Sequence, residues 1–323
     1  MNEKTLLRGG CVLTLGAKTP NFAQADVLIQ DGRLAEVGAG LRARDAEVVD
    51  AADTIVMPGF VDTHRHAWRS LFRNLGDDAP STSAAHHYRP DDVYAATLIG
   101  LLGAVEAGIT TVVDWADIPA DERAAEAALQ AHADAGVRTV FVHEEPDRFT
   151  ERTGPSTTLA AYWRAGGGAE PDGASQTWAR ARDRGHRIHV HAGPGTTGLV
   201  AALAGRALLG PDVVLAHGAS WDDADLQAVA SSGASVALAP SSEMATGQGP
   251  PPVQQLIDRG IRPGLGVDDE RVAPGDLFAQ MRATISMQHA TVFARKLAGK
   301  AGLPRLMSTR DVIRYATSDG ARV

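Results

Sequence analysis

From residue 58 onward the chain alternates short apolar runs with alanine-rich stretches, and this alternation limits the possible folds more than any other feature. The runs are GFVDTH, TTVVDWAD, RTVFVHEE, TTLAAYW, RIHVHAG, VVLAHGAS, ASVALAPS and RPGLGVDD. Short apolar runs rich in β-branched residues read as buried strands. Between most of them lie amphipathic stretches such as DDVYAATLIGLLGAVEAG, DERAAEAALQAHADAG and SQTWARARDRG. Each ends in glycine, a helix C-terminal signal. Strands joined by helical crossovers pair in parallel, and eight of them close a (β/α)8 barrel. An open doubly wound sheet would more often carry a glycine-rich phosphate loop after its first strand, and VDTHRH is not one. Residues 4–57 read instead as short strands and turns, with QDGRL a hairpin signal between alternating runs. The expected fold is α/β: a (β/α)8 TIM-like barrel over residues 58–323, preceded by a small N-terminal β-sandwich segment over residues 1–57.

The polar residues of the barrel segment gather at the ends of the runs. His64 and His66 end the first, Asp114 and Asp117 the second, His143 the third, His191 the fifth, His217 the sixth, and Asp268 and Asp269 the eighth. In a (β/α)8 barrel those ends open on one face, where catalytic groups sit. In VMPGFVDTHRHAWRS the two histidines stand two residues apart on a strand, so both imidazoles face the same way. H-x-H alone is a weak motif. Imidazoles and a carboxylate together bind Zn2+ or Fe2+, and a catalytic ion keeps a position open for water. His64, His66, His191 and Asp268 can supply that set. Were they separate buried groups, each would need its own partner in an apolar barrel. His189 shares a face with His191 one layer deeper and reads as barrel filling. His132 and His289, on helical stretches, are expected at the surface or in packing, and His186, ahead of its strand, in solvent.

Charge and cysteine content narrow the function classes. Thirty-one basic residues against 39 acidic ones give a net charge of −8, which argues against a nucleic-acid surface. A single cysteine, Cys11, permits no disulfide framework and suits a reducing compartment. No apolar run reaches membrane-spanning length, and MNEKTLLRGG has no apolar signal core. The expectation is a cytoplasmic protein with a small-molecule substrate, neither nucleic acid nor membrane being a partner.

Taken in order, VMPGFVDTHRHAWRS, GITTVVDWADI, IHVHAG, LAHGAS and PGLGVDDE resemble the strand-end motifs of the amidohydrolase superfamily. The nearest likeness is to its cytosine deaminase, triazine hydrolase and chlorohydrolase branch. ADVLIQDGRLAEVG is similar to the N-terminal sandwich strands of those enzymes and RYATSDGARV to their last barrel helix. The resemblance implies His64, His66, His191 and Asp268 as ligands of a divalent ion, zinc in first place and ferrous iron as the alternative. It puts His217 beside the reacting water or the substrate. Binuclear relatives bridge two ions with a carboxylated lysine on strand 4. The only lysines here are Lys4, Lys18, Lys296 and Lys300, which points to one ion. The implied activity is hydrolysis of a C–N bond, releasing ammonia from a small nitrogen heterocycle, with Asp268 as general base and His217 polarising the substrate. Trp68, Arg69, Trp115, His143 and Glu243 are the candidate substrate contacts. A cyclic-amide hydrolase, a lyase or cyclase on the same site, and a metal-binding relative without catalysis are the competing readings.

Three departures from the resembled pattern matter. Many deaminases of this branch carry H-x-x-E on strand 5, whose glutamate moves protons; here the stretch is HAGP, ending in Pro194. Asp117, Glu144, Glu145 and Glu243 are candidate replacements, each otherwise read as a surface or loop carboxylate. Arg69 stands where relatives often have an amide, and suits either a substrate carboxylate or a salt bridge on the first helix. Relatives also add sandwich strands after the last barrel helix. Without them residues 4–57 would present bare sheet edges, so the expectation is a homo-oligomer in which a partner covers them. In SAAHHYRP, His86 and His87 are candidates for the barrel mouth or for a solvated loop.

Overall fold

The structure, a computed structural model, describes residues 3–16, 19–73, 87–118, 122–164 and 173–323. The chain forms two compact units, Met1–Gly59 and Phe60–Val323.

The first unit is one five-stranded sheet built from β1 (Lys4–Val12), β2 (Phe22–Gln30), β3 (Arg33–Gly38), β4 (Glu47–Asp50) and β5 (Ile55–Val56). Strands β3, β2 and β1 form an antiparallel meander, while β4 and β5 run parallel to β1. Asp31 and Gly32 link β2 to β3 with φ of 51° and 72°. Two successive positive φ angles are what a two-residue hairpin turn of matching twist requires, as QDGRL suggests. Asp26 is buried and accepts from the backbone amides of Gly9 and Leu41, both at 2.8 Å. One small cluster around Val12, Ala25 and Val27 forms the unit's core, while Leu34, Val48, Val49 and Ile55 are exposed.

The second unit is the barrel. Its strands are β6 (Phe60–Arg65), β7 (Ile109–Trp115), β8 (Arg138–His143), β9 (Thr157–Arg164), β10 (Ile188–His191), β11 (Val213–Ala216), β12 (Ser235–Leu238) and β13 (Gly264–Leu265). They pair in parallel and in chain order, and they coincide with the eight apolar runs. Helices such as Pro90–Glu106, Glu122–Ala135 and Asp223–Ser232 provide the crossovers. Between β8 and β9 a 3-10 helix, Pro146–Arg152, takes the place of an α-helix, because the connection is short. No helix among the described residues is long and apolar enough to cross a membrane.

The seam between the last strand and the first determines where the site forms. Asp268 donates its amide to His64 O at 2.7 Å, and its own carbonyl accepts from His66 N at 2.9 Å. Gly266 makes that approach possible: a Cβ there would lie 2.7 Å from both N and O of His64. The fully buried Asp62 bonds the seam from within, its Oδ1 accepting from Val267 N at 3.0 Å and its Oδ2 from Arg65 Nε at 2.7 Å. Arg65, also buried, donates onward to Glu270 and to Gly275 O. A buried guanidinium is tolerable only with its donors matched in this way.

Candidate active site

Strand ends β6, β10, β11 and the turn after β13 bring four histidines and one aspartate to a single point. His64 lies with its ring centroid 5.1 Å from His66 and 4.9 Å from His217. Asp268 Oδ1 is 3.3 Å from His64 Nε2 and 3.4 Å from His66 Nε2. The Nε2 atoms of His191 and His217 are 2.9 Å apart. Two overlapping triads, His64–His191–His217 and His64–His66–Asp268, each hold their ligand atoms within 4.8 Å of one another. His217 and Asp268 have left-handed backbones, with φ of 73° and 63°. Non-glycine residues avoid that region unless their surroundings over-determine it. Backbone bonds hold both, His217 N to Ala237 O at 2.9 Å and Asp268 N to His64 O.

The electrostatics favour neutral His64 and His191 beside an ionised Asp268. Burial pushes His64 down to about 4 and His191 well below the usual histidine range. For Asp268 burial acts upward, but His64, His217 and His66 outweigh it and hold the carboxyl well below its ordinary value. Ser242 Oγ donates to the other oxygen of Asp268 at 2.6 Å. Burial pushes His217 down, yet Glu243 and Asp268 reverse the balance and the net shift is upward. Both ring nitrogens of His64 are buried without a hydrogen-bond partner. Two imidazoles whose Nε2 atoms face each other can share only one proton. Lone pairs converging in this way, with a carboxylate alongside, fit a divalent cation.

His66 is fixed from behind. Its Nδ1 lies 2.7 Å from Asp117 Oδ1, a pairing that turns Nε2 toward the cluster centre. Asp117 also accepts from Trp68 Nε1 at 3.0 Å, Arg69 Nη2 at 3.1 Å and Arg164 Nη2 at 2.8 Å. Burial would raise this carboxyl, but His66, Arg69 and Arg164 hold it far below the usual range. Asp117 is therefore a buried anchor, not the surface carboxylate its sequence context suggests.

A cavity of about 240 Å3 opens beside the cluster, lined by His66, Arg69, Arg164, His191, Ser242, Thr246, Gln248, Asp268, Asp269 and Arg271. Of the five candidate substrate contacts, only Arg69 lines it. Trp115 is fully buried beneath the histidines, its ring 5.1 Å from His64 and stacked on Tyr162 at 5.4 Å. Trp68 is buried in the layer between strands and helices with Val93 and Phe141. His143 stacks on Phe141 and meets Phe149 edge-on at 4.9 Å, and its Nδ1 accepts from Glu145 N at 3.0 Å.

Glu243 is fully buried on the short helix Pro240–Ala245. One oxygen accepts from Ala239 N at 2.8 Å and stands 3.4 Å from His217 Nδ1, so Glu243 backs His217 and is no loop carboxylate. Glu144 and Glu145 are exposed, as expected. His189 meets the underside of Trp115 with ring centroids 6.2 Å apart, in the deeper layer expected for it. His132 is buried in packing, one of the two places expected for it; its Nε2 pairs with Asp114 at 2.7 Å and its Nδ1 with Thr139 Oγ1 at 2.8 Å. His186 is half-buried against Asp147 instead of lying in solvent, and His289 is half-buried with Nε2 on Met307 O at 2.9 Å. His87 is exposed; His86 lies outside the described residues. Ser242, Gln248, Arg164 and Arg271 are additions that the sequence reading did not single out. Arg164 ends β9, so the strand-end rule applied to AAYWR would have found it.

Comparison with known proteins gives a consistent picture. The model of the amidohydrolase family matches residues 55–323. The chain is 26% identical to the 5'-deoxyadenosine deaminase of Methanosarcina mazei, over 98% of this chain and 79% of that one. Its fold matches a zinc complex of the atrazine chlorohydrolase of Arthrobacter aurescens with a TM-score of 0.81 at 20% identity, over 98% of this chain and 82% of that one. It matches an adenosine deaminase of Xanthomonas campestris with bound zinc at a TM-score of 0.79 and 19% identity, over 98% and 79%.

Proposed function

The chain belongs to the amidohydrolase family, and from that premise we propose that it is a zinc-dependent aminohydrolase releasing ammonia from a small nitrogen heterocycle. The observation that carries this reading is the convergence of four histidines and Asp268 beside one cavity on the C-terminal face of the barrel. His64, His66, His191 and Asp268 would hold a single ion, with His217 next to that set, and the ion would supply a Lewis acid that lowers the pKa of water toward ~7.

The chain's own groups manage the protons. Asp268 accepts the proton of the attacking water, while the Ser242 hydroxyl fixes which carboxylate oxygen is available to do so. Asp268 then returns that proton to the leaving amine, while His217 faces the developing charge on the substrate. Pro194 rules out a strand-5 carboxylate for this work. Asp117, tied to His66, Trp68 and two arginines, stays ionised and has no proton to give. Glu243 acts through His217: its carboxylate, 3.4 Å from Nδ1, favours a proton on that side and so keeps Nε2 toward the site.

The test is metal analysis of the purified protein, joined to ammonia release from a heterocycle panel that includes 5'-deoxyadenosine and aminotriazines. About one zinc per chain and ammonia release abolished by chelation are the expected results. Ring opening without ammonia favours the second reading, a cyclic-amide hydrolase, for which Pro194 in place of a proton-shuttling carboxylate is the specific support. Bound metal without any turnover would refute both. The protein is a cytoplasmic homo-oligomer in this reading. A lone cysteine suits a reducing compartment, and the exposed apolar side chains Leu34, Val48, Val49 and Ile55 suit a partner surface. The domain boundary belongs near residue 58, next to the division into compact units at Gly59.

A further inference from the structure

One wall of the cavity carries more positive charge than the hydrolytic cluster uses. Arg69, Arg164 and Arg271 all line it, beside His66 and His191. Their acidic partners on this wall are Asp117 and Asp269. Arg69 bridges the two at 3.1 Å and 3.0 Å, Arg164 reaches Asp117 at 2.8 Å, and Arg271 reaches Asp269 at 2.8 Å. Three guanidiniums thus line one wall of the cavity, with Asp117 shared by two of them and Asp269 by two.

Two donors on this wall stand ready for an anion. Arg164 makes its only hydrogen bond among the described residues from Nη2 to Asp117, and its side chain is 48% exposed. Arg69 is pinned through both Nη atoms, yet its buried Nε–H has no acceptor. A buried donor without an acceptor is costly, and such groups are usually satisfied by a ligand or by water. The guanidinium fork matches the two oxygens of a carboxylate. A dianionic phosphate would bring a second negative charge toward Asp117 and Asp269 on this wall and Asp268 beside it, whereas a carboxylate brings only one.

We propose that this wall is a carboxylate-binding subsite, and that the heterocycle processed here carries a carboxylate gripped by Arg164 and Arg69. The inference rests on the aminohydrolase reading for the reacting end of the substrate and on the arginines for its charged end. The cavity, about 240 Å3, suits a one- or two-ring compound.

The experiment compares matched probes, pterin with pterin-6-carboxylate and cytosine with cytosine-5-carboxylate. Calorimetric binding and ammonia release are both measured on the metal-loaded wild type, Arg164→Gln and Arg164→Lys. The carboxylate member of at least one pair should bind about tenfold or more tightly than its neutral partner, the scale of a charge-assisted hydrogen bond. That ratio should collapse toward one in Arg164→Gln and survive in part in Arg164→Lys. Neutral members binding as well as their carboxylates, or neither binding, overturns the subsite in the wild type alone, whether or not the variants fold. A preference that Arg164→Gln leaves intact overturns it too. Binding preference without ammonia counts against aminohydrolysis and leaves the subsite standing; ammonia without preference does the reverse.

Discussion

Replacing Gly266 by alanine tests whether the seam between β13 and β6 positions the active site. The new Cβ would lie 2.7 Å from both N and O of His64 and 2.9 Å from His64 Cβ. Ordinary contact begins near 3.4 Å, so the two segments must separate by about 0.7 Å. The opposing atoms are backbone, which cannot rotate away. Overpacking of this kind costs ~1–3 kcal/mol, and a displacement approaching 1 Å at reacting groups costs on the order of 10²-fold in rate. Because the Asp268 amide bonds His64 O directly, the same displacement pulls Asp268 from His64 and His66. Gly266→Ala should therefore lower the urea midpoint, lower zinc retention against a chelator, and cut turnover about a hundredfold. Gly205→Ala is the control: it ends a helix, and nothing lies within 4 Å of its added Cβ, so it should be neutral or slightly stabilising. Wild-type zinc retention and stability in Gly266→Ala would refute the argument that this seam sets the ligand geometry.

The remaining predictions concern single groups. Asp268→Asn should keep most of the fold and lower turnover by ~10²–10⁴-fold, measured at matched zinc content; full activity would remove Asp268 as the base. Glu243→Gln keeps the acceptor for Ala239 N but loses the anion behind His217, so kcat should fall ~10–100-fold while metal content holds; an unchanged kcat would make Glu243 merely structural. Arg65→Met leaves Asp62 buried without a counter-charge and Glu270 with Arg73 alone, and chemical unfolding should show a loss of ~3–5 kcal/mol. Burial, then Arg187 and His64, hold His189 down to about 3, whereas in the unfolded chain it takes up a proton near ~6.5. The unfolded state therefore binds more protons below that value, and stability should fall as pH drops from ~6.5 toward 3. At pH 5 the loss is about 2 kcal/mol from this residue, read as a difference in urea midpoint between pH 7 and pH 5. His189→Leu should flatten that dependence, and an equal slope in the variant would show that other groups carry it.

What could be read in the sequence and what could not divide along a physical line. The eight barrel strands are legible because each is a buried run bounded by turn signals, and the β2–β3 hairpin because Asp31–Gly32 requires positive φ at both positions. His64, His66, His191, His217 and Asp268 stand out through their place at strand ends. Side-chain direction is harder to read. Trp68 would share a face with His64 and His66 if the strand continued, but β6 ends at Arg65 and a 3-10 helix begins at Ala67, so the period of two is lost. On β8 both alternating faces are apolar, and only the packing shows that His143 follows Phe141 to the helix side. The burial of Asp117, His132 and Glu243 is not legible either. Each is buried because of partners the fold brings in, and those partners have no local signature.

The seam has one more consequence, for the order in which the molecule comes into being. Asp62 bonds Val267, and His64 bonds Asp268, across some two hundred residues of intervening chain. His64 and His66 leave the ribosome some two hundred residues ahead of the segment that completes their surroundings. While that stretch is being made, the nascent chain holds a pair of histidines without offering a cation a finished set of ligands. Contacts of such sequence separation also form late in folding, after most of the chain has been ordered. Loading with metal is therefore coupled to completion of the barrel, and a fragment ending before Gly264 should bind zinc no better than an isolated H-x-H peptide.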